Sequence, residues 1–237
     1  MSGLFYKIGR MLGPHVRKAR WVWQSTTGNE VDAIRLERDV GRDLASGIRQ
    51  QLKLDSDPQI AQLLNEVGSR LAGCVANKLR SFGFETFEGG EPNAFALPGG
   101  YIFVSRSLVE LCGRNQDEVA FILGHEMSHV IRGHAMDRII TNSAISLGTK
   151  LTSVRGPLTA LLNKVGISFL ESSYSQELEM EADKLGVRLV AAAGYNAKAP
   201  AVLLSRLAKL SPPGSESNFG HFFSSHPSFN LRIQNIS

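Results

Sequence analysis

The sequence predicts an α+β fold that is mainly helical and carries a small β-sheet. Three observations lead to this prediction. Apolar residues recur at helical spacing before residue 75 and after residue 115, a short β-rich stretch lies between these regions, and 43% of the 237 residues are apolar. That apolar share is enough for a sizeable buried core. We expect one domain over residues 30–237, preceded by a basic amphipathic tail over residues 1–29.

Two helices are predicted in the first helical region. Val31–Leu54 shows helical spacing together with many charges. Asp57 followed by Pro58 is typical of an N-cap and the first turn of a second helix. The apolar positions that define this second helix are Ile60, Leu63, Leu64, Val67 and Leu71.

Short strands are predicted where the hydrophobic period changes. Phe84–Phe87, Asn93–Leu97 and Tyr101–Ser105 have the residue types and lengths of strands. Pro98–Gly100 predicts a turn between the last two of them. We expect these three segments to form the small sheet.

Helical patterns dominate the C-terminal half of the chain. Asn115, with Glu118 three residues later, resembles a capping box and predicts the start of a long helix. Gly194 fits the end of a later helix. Further helices are expected over residues 198–210 and after Pro227.

The net charge of +4 is concentrated in the N-terminal tail. Residues 1–24 carry five basic side chains and no acidic one, which leaves 21 basic and 22 acidic side chains in the rest of the chain. The globular part therefore gives no electrostatic indication of a nucleic-acid partner.

The tail has three competing interpretations. Leu4, Ile8, Met11 and Leu12 lie at helical spacing, and Trp21 and Trp23 follow a basic cluster. Residues 1–24 would therefore suit peripheral contact with a membrane surface, because the apolar face enters the lipid and the cations meet anionic headgroups. The same features suit mitochondrial targeting, and a segment that packs on the domain or stays disordered is the third interpretation.

The remaining features favour a cytoplasmic protein. Cys74 and Cys112 have no paired spacing, so reduced thiols are expected, with one disulfide between them left open. We expect no signal peptide and no membrane span. The longest uncharged stretch in the middle of the chain, Ile139–Thr149, is well short of the roughly 18–20 residues that a span needs.

The strongest chemical motif is HExxH, formed by His125–His129 on a predicted helix. Histidines four residues apart lie one turn above each other, so both imidazoles can reach one ion. Glu126 follows the first histidine and is placed to act as general base toward a water molecule that the metal activates. The alternative is a structural helix whose histidines are ordinary packed side chains.

Two histidines leave a zinc site one protein ligand short, so a third must come from elsewhere. In the pattern HExxHxxGxxH a third histidine supplies it, but here Arg132 and Ala135 occupy the glycine and histidine positions. His134 does not replace it, because a continuous helix places it about 180° from His125. We expect His134 to be a helix-end or packing residue.

A later helix offers carboxylates on two different faces. Glu177, Glu181, Lys184 and Arg188 form one charged stripe that suits solvent. Glu179 and Asp183 instead share a face with small and apolar residues, where a buried carboxylate needs a cation. Glu179 is therefore the preferred third ligand, and Asp183 is placed to bond a ligand imidazole or the reacting group. The alternative is that Glu179 is a half-exposed helix residue.

Four ordered segments resemble the gluzincin peptidases that include HtpX-type heat-shock proteases, CAAX prenyl endopeptidases and Oma-type mitochondrial proteases. They are NAFALPGGYIFVS (93–105), HEMSHVIRGH (125–134), SQELEMEAD (175–183) and HPSFNLRI (226–233). The resemblance runs from about residue 31 to the end and is closest to soluble catalytic domains and Oma-like members. It implies a helical zincin-type metallopeptidase domain with a small sheet beside the active-site cleft.

The resemblance also implies roles for individual residues. One zinc ion is expected on His125, His129 and Glu179, with Glu126 as the base. Asp183 matches an acidic position that supports the site and acts as a proton donor in some relatives.

Three further segments take their roles from the same resemblance. His226 matches a histidine that shields the metal or stabilises the transition state, or else it is simply a helix-start residue. Arg232 either pairs with a carboxylate near the site or is a surface charge. Asn93–Leu97 matches an edge strand with which an extended substrate can pair through its backbone.

The function that follows is zinc-dependent endoproteolysis of polypeptide substrates, in quality control of unfolded or membrane-associated proteins. Two alternatives are a zinc-containing holdase or regulatory binding module with little proteolytic activity, and a zinc hydrolase that does not cleave peptides. The predicted lack of membrane spans and of a signal peptide differs from the CAAX, HtpX and periplasmic branches. Prenylated peptides are therefore not expected as substrates.

Overall fold

The computed structural model describes residues 29–139, 174–210 and 229–236. Its helices are α1 (Glu30–Gln51), α2 (Pro58–Gly73), α3 (Arg106–Leu111), α4 (Gln116–Ile131), α5 (Gln176–Ala192), α6 (Ala199–Leu210) and α7 (Phe229–Ile236). Its strands are β1 (Gly83–Phe87), β2 (Ala94–Leu97) and β3 (Tyr101–Ser105), and residues 134–139 are also helical. The predicted α+β, mainly helical fold class is confirmed.

The three predicted strands form one mixed sheet in the order β1-β3-β2. β1 runs parallel to β3, and β2 runs antiparallel to it with Ala94 opposite Val104. A single 3-10 turn, Pro98–Gly100, joins β2 to β3 as the sequence predicts. β3 therefore lies in the centre of the sheet, and β2 forms one of its edges.

The start of α4 differs in one respect from the predicted capping box. The Asn115 side chain accepts hydrogen bonds from the backbone N–H groups of Asp117 and Glu118, so the N-cap itself is as expected. The Glu118 carboxylate does not complete the box, because it pairs with the Arg206 guanidinium of α6. An ionic hydrogen bond is stronger than a return bond to the backbone, and here it ties α4 to α6.

Helix α4 is the central element of the fold. Each of its residues from Glu118 to Val130 is buried, and α5 makes its most extensive contact. The two helices approach closely at Gly124 and Gly186. A Cβ atom at Gly186 would lie 3.1 Å from the backbone nitrogen of His125. The absence of side chains at these two positions therefore allows α5 to carry its carboxylates up to the histidines of α4.

A second apolar cluster joins α1 to the sheet. Leu44 and Ile48 of α1 pack with Phe95 of β2 and Phe103 of β3, whose rings stack with centroids 5.3 Å apart. α1 ends at Gln51, three residues before the predicted end, and Leu54 instead makes an isolated β-bridge. This cluster holds the sheet between α1 and the helices around α4.

Some sequence predictions lie outside the described residues. These are the tail interpretation over residues 1–24 and the role of His226. Within the described ranges, no helix combines the length and the apolar character that a membrane span requires. Cys74 and Cys112 are both free thiols.

Candidate metal centre

The HExxH motif lies in the buried second half of α4. His125 is 2% exposed and His129 is fully buried, and their Nε2 atoms lie 3.1 Å apart. One helical turn between the two residues brings both imidazoles to the same side of α4, the side that faces α5. The predicted convergence of the two side chains is present.

Glu179 completes the convergence from α5. It is fully buried, with Oε2 3.5 Å from His125 Nε2 and Oε1 3.4 Å from His129 Nε2. The faces of α5 divide as the sequence predicts, since Glu177 and Lys184 are exposed while Asp183 is buried. Within the described ranges, His125, His129 and Glu179 are the group of side chains whose donor atoms come close enough together to hold a metal ion.

The nearest approaches between donor atoms of these three residues fit a tetrahedral zinc site. Zinc–nitrogen and zinc–oxygen bonds of about 2.0–2.1 Å place neighbouring tetrahedral ligands roughly 3.3 Å apart. Here the two Nε2 atoms are 3.1 Å apart, Glu179 Oε1 is 3.4 Å from His129 Nε2, and Glu179 Oε2 is 3.5 Å from His125 Nε2. Two ring nitrogens and a carboxylate are also the ligand types that zinc prefers. The site residues therefore fit this metal in both spacing and chemistry.

His125 is held from behind by Asp183. Its Nδ1 lies 2.9 Å from Asp183 Oδ1, and both groups are buried. Because the carboxylate can only accept, His125 Nδ1 carries the proton and donates it, which leaves the Nε2 lone pair directed toward Glu179. Asp183 thus selects the tautomer that a metal ligand needs.

Asp183 is in turn held by Arg232 of α7. Arg232 Nε donates to Oδ2 at 2.7 Å and Nη2 donates to Oδ1 at 2.7 Å, a bidentate pair. Burial alone would raise the pKa of Asp183, but the Arg232 charge, the Arg232 hydrogen bonds and His125 together hold that pKa well below its usual range. Arg232 is therefore a buried partner of a carboxylate and not a surface charge, the first of the two predicted alternatives.

The surroundings of His125 favour positive charge at this position. Burial and the nearby Arg232 charge lower the pKa of His125. Glu179 and Asp183 raise it by a larger amount, so that the pKa lies at about 9. Glu179 at Nε2 and Asp183 at Nδ1 therefore stabilise a positive charge on this ring, whether it comes from a second proton or from a metal ion.

His129 has a different set of neighbours. Its Nδ1 lies 3.1 Å from Nδ1 of His134, and its ring stacks on Tyr174 with centroids 3.9 Å apart and an angle of 15° between planes. The guanidinium of Arg138 lies over the Tyr174 ring at 4.5 Å. No periodic pattern points to Tyr174, because it precedes the N-cap of α5; only its place just before the SQELEMEAD segment could have drawn attention to it.

Glu126 lies at the border between the donor atoms and a small apolar cavity. It is 1% exposed. The residues that line the cavity are Phe121, Ile122, His125, Glu126, Leu203, Leu204, Leu207 and Arg232. The candidate base and the first histidine thus face one apolar space, into which Arg232 brings a positive charge.

Two histidines one turn apart on one helix, with a glutamate from a second helix, are the ligand set of gluzincin-type metallopeptidases. The family relationship agrees with this site. The profile of peptidase family M48 matches residues 58–237, and the chain belongs to this family.

Curated relatives are similar over much of this chain. Mitochondrial metalloendopeptidase OMA1 of Schizosaccharomyces pombe is 32% identical over 61% of this chain and 42% of its own length. Metalloprotease LoiP of Escherichia coli K12 is 29% identical over 78% of this chain and 75% of its own length. The beta-barrel assembly-enhancing protease of the same organism is 26% identical over 77% of this chain and 39% of its own. The chain thus spans less than half the length of OMA1.

Proposed function

We propose that this chain is a zinc-dependent endopeptidase, with the metal held by His125, His129 and Glu179. The observation that carries the proposal is the convergence of three buried side chains, in which the two Nε2 atoms are 3.1 Å apart and each lies 3.4–3.5 Å from one Glu179 oxygen. The ring tautomer of His125 that Asp183 selects supports it, as does membership of peptidase family M48.

Glu126 is the proposed general base. Zinc held at the site would polarise the scissile carbonyl and lower the pKa of a water molecule beside it. Glu126 takes a proton from this water as the water oxygen bonds to the carbonyl carbon. The same carboxyl group gives the proton to the leaving nitrogen as the C–N bond breaks, so the proton balance closes on one side chain.

We assign Asp183 a positioning role and not that of a proton donor. A donor would have to be protonated, whereas Arg232 holds the Asp183 pKa far below neutral pH. Both of its carboxylate oxygens are also engaged, one by His125 and both by Arg232. Asp183 therefore acts on the reaction through His125. His226 stays a proposed catalytic or shielding residue on the strength of the HPSFNLRI resemblance alone.

The proposed substrates are extended polypeptides that pair with β2. Ser105 N–H donates to the Asn93 carbonyl at 2.8 Å, so the backbone groups of Asn93 face β3. In an antiparallel pair this orientation alternates along the strand, and Ala94 and Ala96 therefore direct their backbone groups away from β3. Arg138 Nη2 lies 3.4 Å from the Ala96 carbonyl on that side. A substrate strand would take the place of Arg138 there, and backbone pairing would tolerate many sequences.

We further propose a role in protein quality control, on unfolded or membrane-associated proteins. The proposal is supported by the beta-barrel assembly-enhancing proteases among the relatives. Residues 1–24 are the proposed peripheral membrane contact, in the cytoplasm or, as in the OMA1 relatives, in mitochondria. Glu126, next in sequence to the proposed ligand His125, favours an active enzyme over a holdase.

Cleavage of an unfolded protein tests the proposed function. Purified full-length chain loaded with zinc should degrade casein, and both a chelator and Glu126→Gln should abolish the cleavage while the helix content stays unchanged. Glu177→Gln, which alters an exposed carboxylate of α5, is the matched control and should retain activity. Casein cleavage that survives both chelation and Glu126→Gln would contradict the proposal.

A further inference from the structure

A break in the helix after the HExxH motif redirects His134. α4 ends at Ile131, and Gly133 adopts a left-handed conformation with φ of 78° before the chain becomes helical again at residue 134. Glycine adopts this conformation without the strain that a Cβ atom causes. A continuous helix would have placed His134 on the far side from His125, but the break turns it back toward His129.

His134 is a buried neighbour of a proposed metal ligand and of a surface carboxylate. It is 3% exposed, and its Nδ1 lies 3.1 Å from His129 Nδ1. Its Nε2 lies 3.6 Å from Glu181 Oε2, a distance for an electrostatic contact, and the Glu181 side chain is 43% exposed. His134 therefore connects the buried imidazole of His129 to a carboxylate at the surface.

The positions of the protons on His129 and His134 follow from the requirement that His129 binds the metal through Nε2. His129 must present the Nε2 lone pair on the side of Glu179, so its Nδ1 carries a proton. That proton is donated to Nδ1 of His134, which must then be an acceptor. His134 consequently carries its own proton on Nε2, the nitrogen nearest to Glu181.

We propose that His134 is a positioning residue for the metal, holding His129 in the tautomer and orientation that binding requires. The proposal rests on the proposed function, since it presumes that His129 is a ligand. Tyr174 restricts the plane of the His129 ring by stacking on it, and His134 fixes the rotation within that plane. Hydrogen bonds of this kind behind a ligand commonly change metal affinity by about 10–100-fold.

The two ligand histidines are thus supported in different ways. Behind His125 stands an anion, Asp183, fixed by the Arg232 guanidinium. Behind His129 stands an imidazole, His134, whose Nε2 lies 3.6 Å from the half-exposed carboxylate of Glu181. His134 accepts without a negative charge, so it makes the His129 ring less electron-rich than Asp183 makes the His125 ring. Another uncharged acceptor in the same position can therefore replace the His134 contact.

An isosteric pair of variants separates hydrogen bonding from packing. In His134→Asn the amide oxygen occupies nearly the position of Nδ1 and can accept the proton from His129. His134→Leu has the same branched shape without an acceptor. Zinc affinity of the full-length chain, measured by competition with a chromogenic chelator, should fall about 10–100-fold in His134→Leu. His134→Asn should recover most of that affinity.

The controls distinguish this proposal from the one on which it rests. Met136→Ala, a truncation of a residue that is also 3% exposed in the same helical segment, should leave zinc affinity unchanged. If the unaltered chain binds no zinc, both proposals fail. If the unaltered chain binds zinc and His134→Leu binds it equally well, or His134→Asn is impaired as much as His134→Leu, only the positioning role of His134 is overturned.

A second measurement does not depend on how the variants fold. Long-range proton–nitrogen correlation spectra of the zinc-loaded chain report which ring nitrogen of each histidine is protonated. We expect the Nε2–H tautomer at His134 and the Nδ1–H tautomer at His129. An Nδ1–H tautomer at His134 would make it a donor and would overturn the proposal.

Discussion

Arg232 binds Asp183 through two hydrogen bonds of 2.7 Å, and both side chains are buried beside the histidine that Asp183 orients. The contact joins α7, at the C-terminal end, to α5. The positive charge of a guanidinium that is 2% exposed needs an opposite charge beside it, and Asp183 supplies that charge in bidentate geometry. The short C-terminal helix is therefore a structural part of the candidate metal centre.

Removal of Arg232 should destabilise the fold strongly. Arg232→Met leaves Asp183 as a buried charge with its main partner lost, so the free energy of unfolding should fall by about 3–5 kcal/mol. Urea denaturation at neutral pH measures the change. Arg188→Met, which alters an exposed arginine of α5, should shift the midpoint little. Equal effects of the two variants would contradict the role given to Arg232.

Glu179→Gln should remove the metal without unfolding the chain. The amide keeps the size of the side chain but loses the negative charge that offsets a dication among buried groups. Metal analysis after dialysis should show near one zinc per unaltered chain and little in Glu179→Gln. Glu177→Gln, on the exposed face of the same helix, is the control and should keep its zinc. Full zinc retention in Glu179→Gln would rule out Glu179 as a ligand.

A small side chain at Gly186 should disturb the metal centre through the backbone. A Cβ atom there would lie 3.1 Å from the His125 nitrogen and 3.2 Å from the Gly124 carbonyl carbon, so α5 must move away from α4. Gly186→Ala should lower stability by about 1–3 kcal/mol and also weaken zinc binding, since Glu179 moves with α5. Gly73→Ala, where a Cβ atom meets nothing within 4 Å, is the matched control. Unchanged zinc affinity in Gly186→Ala would show that the spacing of α4 and α5 is not critical.

Only one of the two cysteines should react with thiol reagents in the folded chain. Burial raises the pKa of Cys112 to about 12, with Glu118 adding to the rise and Arg206 opposing it. The reactive thiolate forms above the pKa, so at pH near 8 Cys112 stays a protonated, buried thiol. A disulfide-exchange reagent should label one thiol per folded chain, at Cys74, and two in urea. Rapid labelling of a folded Cys74→Ser variant would contradict this assignment.

Helical periodicity made the main helices and the candidate ligands predictable. The spacing of His125 and His129, and the face that Glu179 shares with Ala182 and Gly186, depend only on local helix geometry and on the free energy of burying a carboxylate. α4 and α5 accordingly place these side chains as the sequence predicts. The position of Asp183 one turn beyond Glu179 predicted a bond to a ligand imidazole or to the reacting group, and the structure shows the bond to the His125 imidazole.

The prediction from helix geometry was wrong for His134, because the helix is interrupted before it. The sequence interpretation of His134 assumed a continuous helix, and the left-handed Gly133 makes that assumption wrong. His134 is buried, as a packing residue would be, but it also contacts His129. A glycine in a helical pattern is compatible with a continuous helix and with a break in the helix, and only the packing of the following segment decides between the two.

The sequence by itself determined the fold class and the helices, because these follow from residue periodicity. It also determined which side chains converge, because a carboxylate on an apolar helix face is costly to bury without a cation. Only the tertiary structure decided that Arg232 is buried against Asp183, that Tyr174 stacks on His129, and that Glu118 pairs with Arg206. Such contacts join residues 45 to 88 positions apart along the chain. Their formation depends on how whole helices pack, and no local pattern contains that information.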